Sequence, residues 1–221
     1  MYFLNIYKSP KCLMLKKHHF KIFMSNSHKI KSYLKGIPSN GDCFYQAVVE
    51  AFKMNGDDVK NYNNVVSMTD DEGALALRRT AAIAVTEEVF QEYKMYQQAG
   101  LEDFEFMSDI KTLEQLRELI LVSGMNVGSK KCVWANEFEI SAVCEALDVC
   151  CLILDMDARN HITSKYIKVG LSRKKFIVLH KHGEHYSLVY KKGKNNMDKG
   201  VMVLEDLTRR AIIDWKIEIE E

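Results

Sequence analysis

The 221-residue sequence predicts an α+β domain in which helices flank a small, largely antiparallel sheet. Three observations predict it. Apolar residues recur at helical spacing from about residue 70 to 147, shorter apolar or alternating runs follow from Val149 to Tyr190, and a polar turn at residues 38–42 feeds an apolar helix. The 47% hydrophobic content suffices to bury one sizeable core, and only two prolines interrupt the chain.

The elements follow in order. Residues 1–32 form a basic N-terminal extension, aromatic, lysine-rich and interrupted by Pro10. None of its apolar runs approaches the roughly 20 residues of a membrane span, and it lacks a signal-peptide core ending in small residues. A solvated tail is expected there. The domain proper is expected over 33–191. From Asp70, Leu77, Ala81, Val85, Val89 and Tyr93 recur four apart behind the acidic turn Asp70-Asp71-Glu72, which predicts one helix ended by Gly100. A second helix is expected from Ser108 or Asp109, with Ile110, Leu113, Leu116 and Ile120 on one face and Gly124 past its end. Met125 to Lys131 reads as a mobile loop. Trp134 opens a third helix carrying Ile140, Val143, Cys144 and Leu147.

Val149 to Leu154 has the continuous apolar character of a buried central strand, so Cys150 and Cys151 are expected to be inert packing residues. Ile162–Val169, Lys175–Leu179 and His185–Tyr190 supply further strands, with Lys181 to Glu184 turning the chain between the last two. Residues 192–221 read as a linker and a C-terminal amphipathic element. In it Leu204, Leu207 and Ala211 suggest helix, and Trp215 to Glu220 alternates like a strand.

Charge divides the chain. Residues 1–41 hold eight lysines, three histidines and no acidic residue, which leaves 23 Lys+Arg against 30 Asp+Glu, net −7, for the rest. A body of that balance lacks the basic face of a nucleic-acid binder. The six cysteines (Cys12, Cys43, Cys132, Cys144, Cys150 and Cys151) have no paired spacing. That favours free thiols in a reducing, intracellular compartment such as the cytoplasm.

Cys43 is where chemistry is expected. The run Ile37-Pro38-Ser39-Asn40-Gly41-Asp42-Cys43-Phe44-Tyr45 delivers a thiol onto the first turn of an apolar helix. There the unpaired backbone N–H groups and the helix dipole favour thiolate over thiol, and they supply donors for a tetrahedral oxyanion. A base is then required, and His185, opening a late strand, provides one. A nucleophile on a helix and a base on a sheet is the papain-like arrangement.

Three blocks in this order resemble the ovarian tumour (OTU) family of cysteine proteases: Asn40-Gly41-Asp42-Cys43-Phe44-Tyr45, Trp134-Ala135-Asn136-Glu137-Phe138-Glu139-Ile140 and His185-Tyr186. The resemblance covers Ile37 to Tyr190. It implies a papain-like OTU fold and hydrolysis of isopeptide bonds at the C-terminus of ubiquitin, of polyubiquitin chains or of a ubiquitin-like modifier. In that reading Cys43 is the nucleophile and His185 the general base and acid, while the turn containing Gly41 and Asp42 lines the oxyanion pocket. A monomer without cofactor is expected, in the host cytosol if the source is a virus or an intracellular bacterium.

Two positions depart from the family pattern: Asn40, where Asp is usual, and Ser187, where many members have Asp or Asn. The partner that orients His185 is therefore open among Asn40, Ser187, Glu184, Asp155 and Asp157. Asn40 stands first, since an amide oxygen can accept the Nδ1 proton. The departures also keep two alternatives in play, a catalytically inactive ubiquitin-binding module and a protease for a non-ubiquitin substrate. His180, His182 and His185 lie within six residues, but no cysteine or placed carboxylate completes a tetrahedral set, so no metal is expected.

Overall fold

The computed structural model describes residues 32–56, 69–128, 131–156, 162–170, 174–192, 198–203 and 217–219. Strand β1 (Ser32–Lys35) leads into helix α1 (Cys43–Met54). Then come α2 (Asp70–Ala84), α3 (Glu87–Gln98), a 3-10 segment (Glu102–Ser108), α4 (Leu113–Leu121), the single turn α5 (Gly124–Val127) and α6 (Glu137–Ala146). The strands β2 (Cys150–Met156), β3 (Ile162–Val169), β4 (Lys175–His182) and β5 (His185–Lys192) follow. Short β6 (Asp198–Lys199), β7 (Val201–Val203) and β8 (Ile217–Ile219) complete the set.

The sheet runs β3-β2-β4-β5-β1-β8, with β6 on β5 and β7 on β4. It is mixed but largely antiparallel, as expected: among the described strands only β2/β4 and β1/β8 are parallel. The strand-like alternation near the C-terminus becomes β8, whereas Leu204, Leu207 and Ala211 lie outside the described residues.

Period-two alternation gives the sheet two buried faces. Tyr186, Leu188, Ile177, Leu179, Cys151 and Ile153 face α1 and α6, while Cys150, Leu152, Leu154, Phe176, Val178 and Val189 face away. Helix α1 is buried nearly all round and is the central pillar of the molecule. A second apolar cluster joins α2, α3, the 3-10 segment and α4 through Ala81, Val85, Phe90, Tyr93, Met107, Leu116 and Ile120. Cys43 stands at the seam between this helical lobe and the sheet.

Helix boundaries depart from expectation where side chains cap them. The single helix expected from Asp70 to Gly100 is two, because Val85 is extended and the Thr86 side chain accepts the Val89 N–H, restarting the helix at Glu87. The second begins at Leu113, not at Ser108, through a capping box between Thr112 and Gln115. The third begins past Trp134, at Glu137, where Asn136 and Glu139 form another such box. Tyr93 donates to both of these residues at 2.9 and 3.0 Å and so ties α3 to the start of α6.

Candidate active site

The turn ahead of α1 is shaped by its own short side chain. Gly41 has a φ of 90°, a conformation that a Cβ disfavours. The Asn40 side-chain oxygen accepts the Asp42 N–H at 3.0 Å, which closes the turn. That oxygen is thus engaged within the turn itself. The Asp42 carbonyl accepts from Gln46 N–H at 2.9 Å, starting the helix, while the Asp42 side chain makes no cap. Cys43 is the first helical residue and is 1% exposed.

The sulfur meets the sheet directly. Tyr186 N–H donates to Cys43 Sγ at 3.5 Å, which sets His185 one residue away from the thiol. Burial pushes the thiol up from its ordinary value; the N–H groups of Tyr186, Phe44 and Cys43 oppose it, and the Asp42 charge adds to it. The expectation that the helix terminus would lower this value is corrected. Desolvation of a nearly enclosed sulfur outweighs the N–H groups that face it, and the Asp42 carboxylate at the helix entrance adds to the rise.

His185 begins β5, and its Nε2 lies 3.4 Å from Ser187 Oγ on the same strand face. Its Nδ1 is buried and finds no hydrogen-bond partner among the described residues. Burial, helped by the charge of His182, holds this imidazole below its ordinary 6.5. Thiol and imidazole are therefore both neutral at neutral pH. Of the other candidate partners, Glu184 is exposed in the turn, Asp155 acts on His180, and Asp157 lies outside the described residues.

Sequence reasoning missed Arg78, which is fully buried behind the turn. Its Nε pairs with Asp42 Oδ1, Nη2 donates to the Gly41 carbonyl at 3.0 Å, and Nη1 donates to the Ile120 and Val133 carbonyls at 2.9 and 3.1 Å. The guanidinium carbon lies 4.6 Å from the centre of the Tyr45 ring. Asp42 Oδ2 accepts from Ser123 Oγ at 2.8 Å and from Met125 N–H at 2.9 Å. One signal was present: Ala74, Arg78 and Ala82 recur four apart, so an arginine lies in a stripe of small buried residues.

The segment expected as a loop is partly built into this arrangement. Gly124–Val127 is a helical turn against the cysteine turn, and a Cβ on Gly124 would stand 1.9 Å from the Asn40 carbonyl oxygen and 2.8 Å from Cys132 Sγ. Ser129 and Lys130 lie outside the described residues. Among the described residues no group of three or more His, Cys, Asp or Glu side chains could hold a metal ion. Nor is any helix there long and apolar enough to cross a membrane.

No protein-family model matches the sequence, and no curated protein matches it. Among solved structures the chain is similar to the Hazara virus OTU bound to ubiquitin, at 15% identity and a TM-score of 0.47, covering 74% of this chain and 83% of that one. It is similar to an ovarian tumour domain in complex with ubiquitin, at 16% identity and a TM-score of 0.43, covering 78% and 74%. An OTU deubiquitinase from Wolbachia pipientis wMel is similar at 12% identity and a TM-score of 0.37, covering 84% and 97%.

Proposed function

We propose that this chain is a thiol-dependent hydrolase of the OTU type that cleaves isopeptide bonds at the C-terminus of ubiquitin or a related modifier. The observation that carries the reading is a helix-opening cysteine whose sulfur accepts the Tyr186 N–H, one residue from an imidazole with an unpartnered, buried Nδ1. The substrate class follows from the resemblance of the three sequence blocks.

In the proposed reaction His185 Nδ1 takes the Cys43 proton as the sulfur attacks the carbonyl carbon, while Ser187 steadies the ring through Nε2. Generating the ion pair only at attack suits two groups that rest neutral. The oxyanion is held by backbone N–H groups of Cys43 and Gly41. The Asp42 N–H is already given to Asn40, so Asp42 contributes through its carboxylate, and Asn40 shapes the turn in place of orienting the imidazole. Collapse expels the lysine amine, protonated by His185. Water activated by the same imidazole then cleaves the thioester, returning free enzyme and a carboxylate.

Ubiquitin bearing a C-terminal thiol-reactive electrophile tests the reading. A single adduct found on Cys43 by mass spectrometry, absent in Cys43→Ala and slowed in His185→Ala, is the expected result. Folded protein that forms no adduct overturns it. The hydroxyl of Ser187 beside His185, in place of a carboxylate, favours one second reading, a ubiquitin-binding module without turnover. Saturable ubiquitin binding by unreactive protein would identify that module, and no binding would point to a protease with another substrate.

A further inference from the structure

We propose that Arg78 and Asp42 form a buried clamp that positions the turn ahead of Cys43, so that the pair governs the chemical step and not substrate affinity; this rests on the hydrolase reading above. Neither side chain has any exposure, and a buried charge is tolerated only when its partners are in place. Here they are: every guanidinium nitrogen donates, and both Asp42 oxygens accept.

The positions held are what give the clamp a role beyond packing. Arg78 Nη2 fixes the Gly41 carbonyl, and Gln46 N–H fixes the Asp42 carbonyl, so both peptide planes around residue 42 are set. A planar trans peptide directs its N–H opposite its carbonyl. With the Asp42 carbonyl turned into the helix, the Cys43 N–H points out of the helix start. With the Asn40 carbonyl against Gly124, the Gly41 N–H points away from that contact. These are the two proposed oxyanion donors; the clamp holds what lies next to each, since Arg78 fixes the Gly41–Asp42 peptide between them and Asp42 Oδ2 holds Ser123 and Met125 on either side of Gly124, against which the Asn40 carbonyl rests. Donors aimed at an oxyanion act on the transition state and leave substrate binding nearly unchanged.

The test compares Arg78→Lys, which keeps the charge but loses the planar fork, with Ser123→Ala, which removes one bond to Asp42 Oδ2 and strands no charge. Turnover of ubiquitin carrying a fluorogenic C-terminal amide is measured alongside labelling by ubiquitin with a C-terminal alkylating group, a reaction that passes through no oxyanion. Expected are a fall in kcat of about a hundredfold for Arg78→Lys and about fivefold for Ser123→Ala, with KM near wild type and labelling reduced less than kcat. A rise in KM at unchanged kcat, or equal falls in labelling and turnover, overturns the clamp. Should Arg78→Lys fail to fold, Ser123→Ala decides by the same split. Wild-type protein that neither turns over nor labels overturns the hydrolase reading itself, whereas active wild type with fully active Ser123→Ala overturns the clamp alone.

Discussion

Cys43 and His185 rest as neutral partners, and that state makes a distinctive pH signature. Because burial raises the thiol and lowers the imidazole, alkylation of the free protein by iodoacetamide should climb only on the alkaline side, beyond the ordinary thiol value of 9.0. Peptide mapping of Cys43 over a pH series measures this, and a reactivity plateau extending below neutrality would mean that a thiolate–imidazolium pair exists at rest. Turnover follows the base instead. In the proposed reaction His185 must be unprotonated, so kcat/KM should fall on acidification only below 6.5 and hold steady through neutrality. Ser187→Ala removes one neutral contact to Nε2. It should lower kcat about fivefold, the worth of a hydrogen bond of about 1 kcal/mol, with a fall in Tm of no more than about 4 °C.

At the scale of elements, α5 is the piece with least freedom. Gly124→Ala would drive a Cβ into the Asn40 carbonyl, and backbone cannot yield as a flexible side chain can. Turnover should fall at least about tenfold with the cysteine turn displaced, as read by single-turnover kinetics beside a melting curve. Thr69→Ala is the contrast. It breaks the capping box at the far end of α2 and should cost about 1 kcal/mol in urea unfolding while activity per folded molecule stays unchanged. The same elements separate what the sequence disclosed from what it hid. The turn into α1, the apolar face of α6 and the run of β2 were legible because spacing along the chain is itself the signal. The break at Val85–Thr86 was not, because the apolar spacing continues across it and only a hydroxyl contact restarts the helix.

For the whole molecule, the hidden feature is the pairing of Arg78 with Asp42, which joins positions 36 apart through no repeating pattern. A lone arginine in an apolar stripe announces burial, but its partner is known only when the helices pack. Arg78→Met strands a buried carboxylate and should cost about 3–5 kcal/mol, a large share of the roughly 5–15 kcal/mol that holds such domains together. Equilibrium urea unfolding measures it. Global stability should also decline on acidification. Burial keeps His180 and His185 below 6.5, so the unfolded chain takes up their protons first, and the folded state's advantage, complete above 6.5, shrinks as pH falls beneath it. Glu139, raised by burial, has the opposite sign over the range above 4.5, so the histidine contribution is read from the change that His180→Ala and His185→Ala make to the decline. Thermal melts over that range would show the decline. The groups gathered by Arg78 come from the turn before α1, the end of α4 and the approach to α6, stretches that no local contact brings together. Under the proposed hydrolase reading, a chain in which these stretches have not packed holds its cysteine unarmed, and competence to hydrolyse becomes a certificate of completed folding.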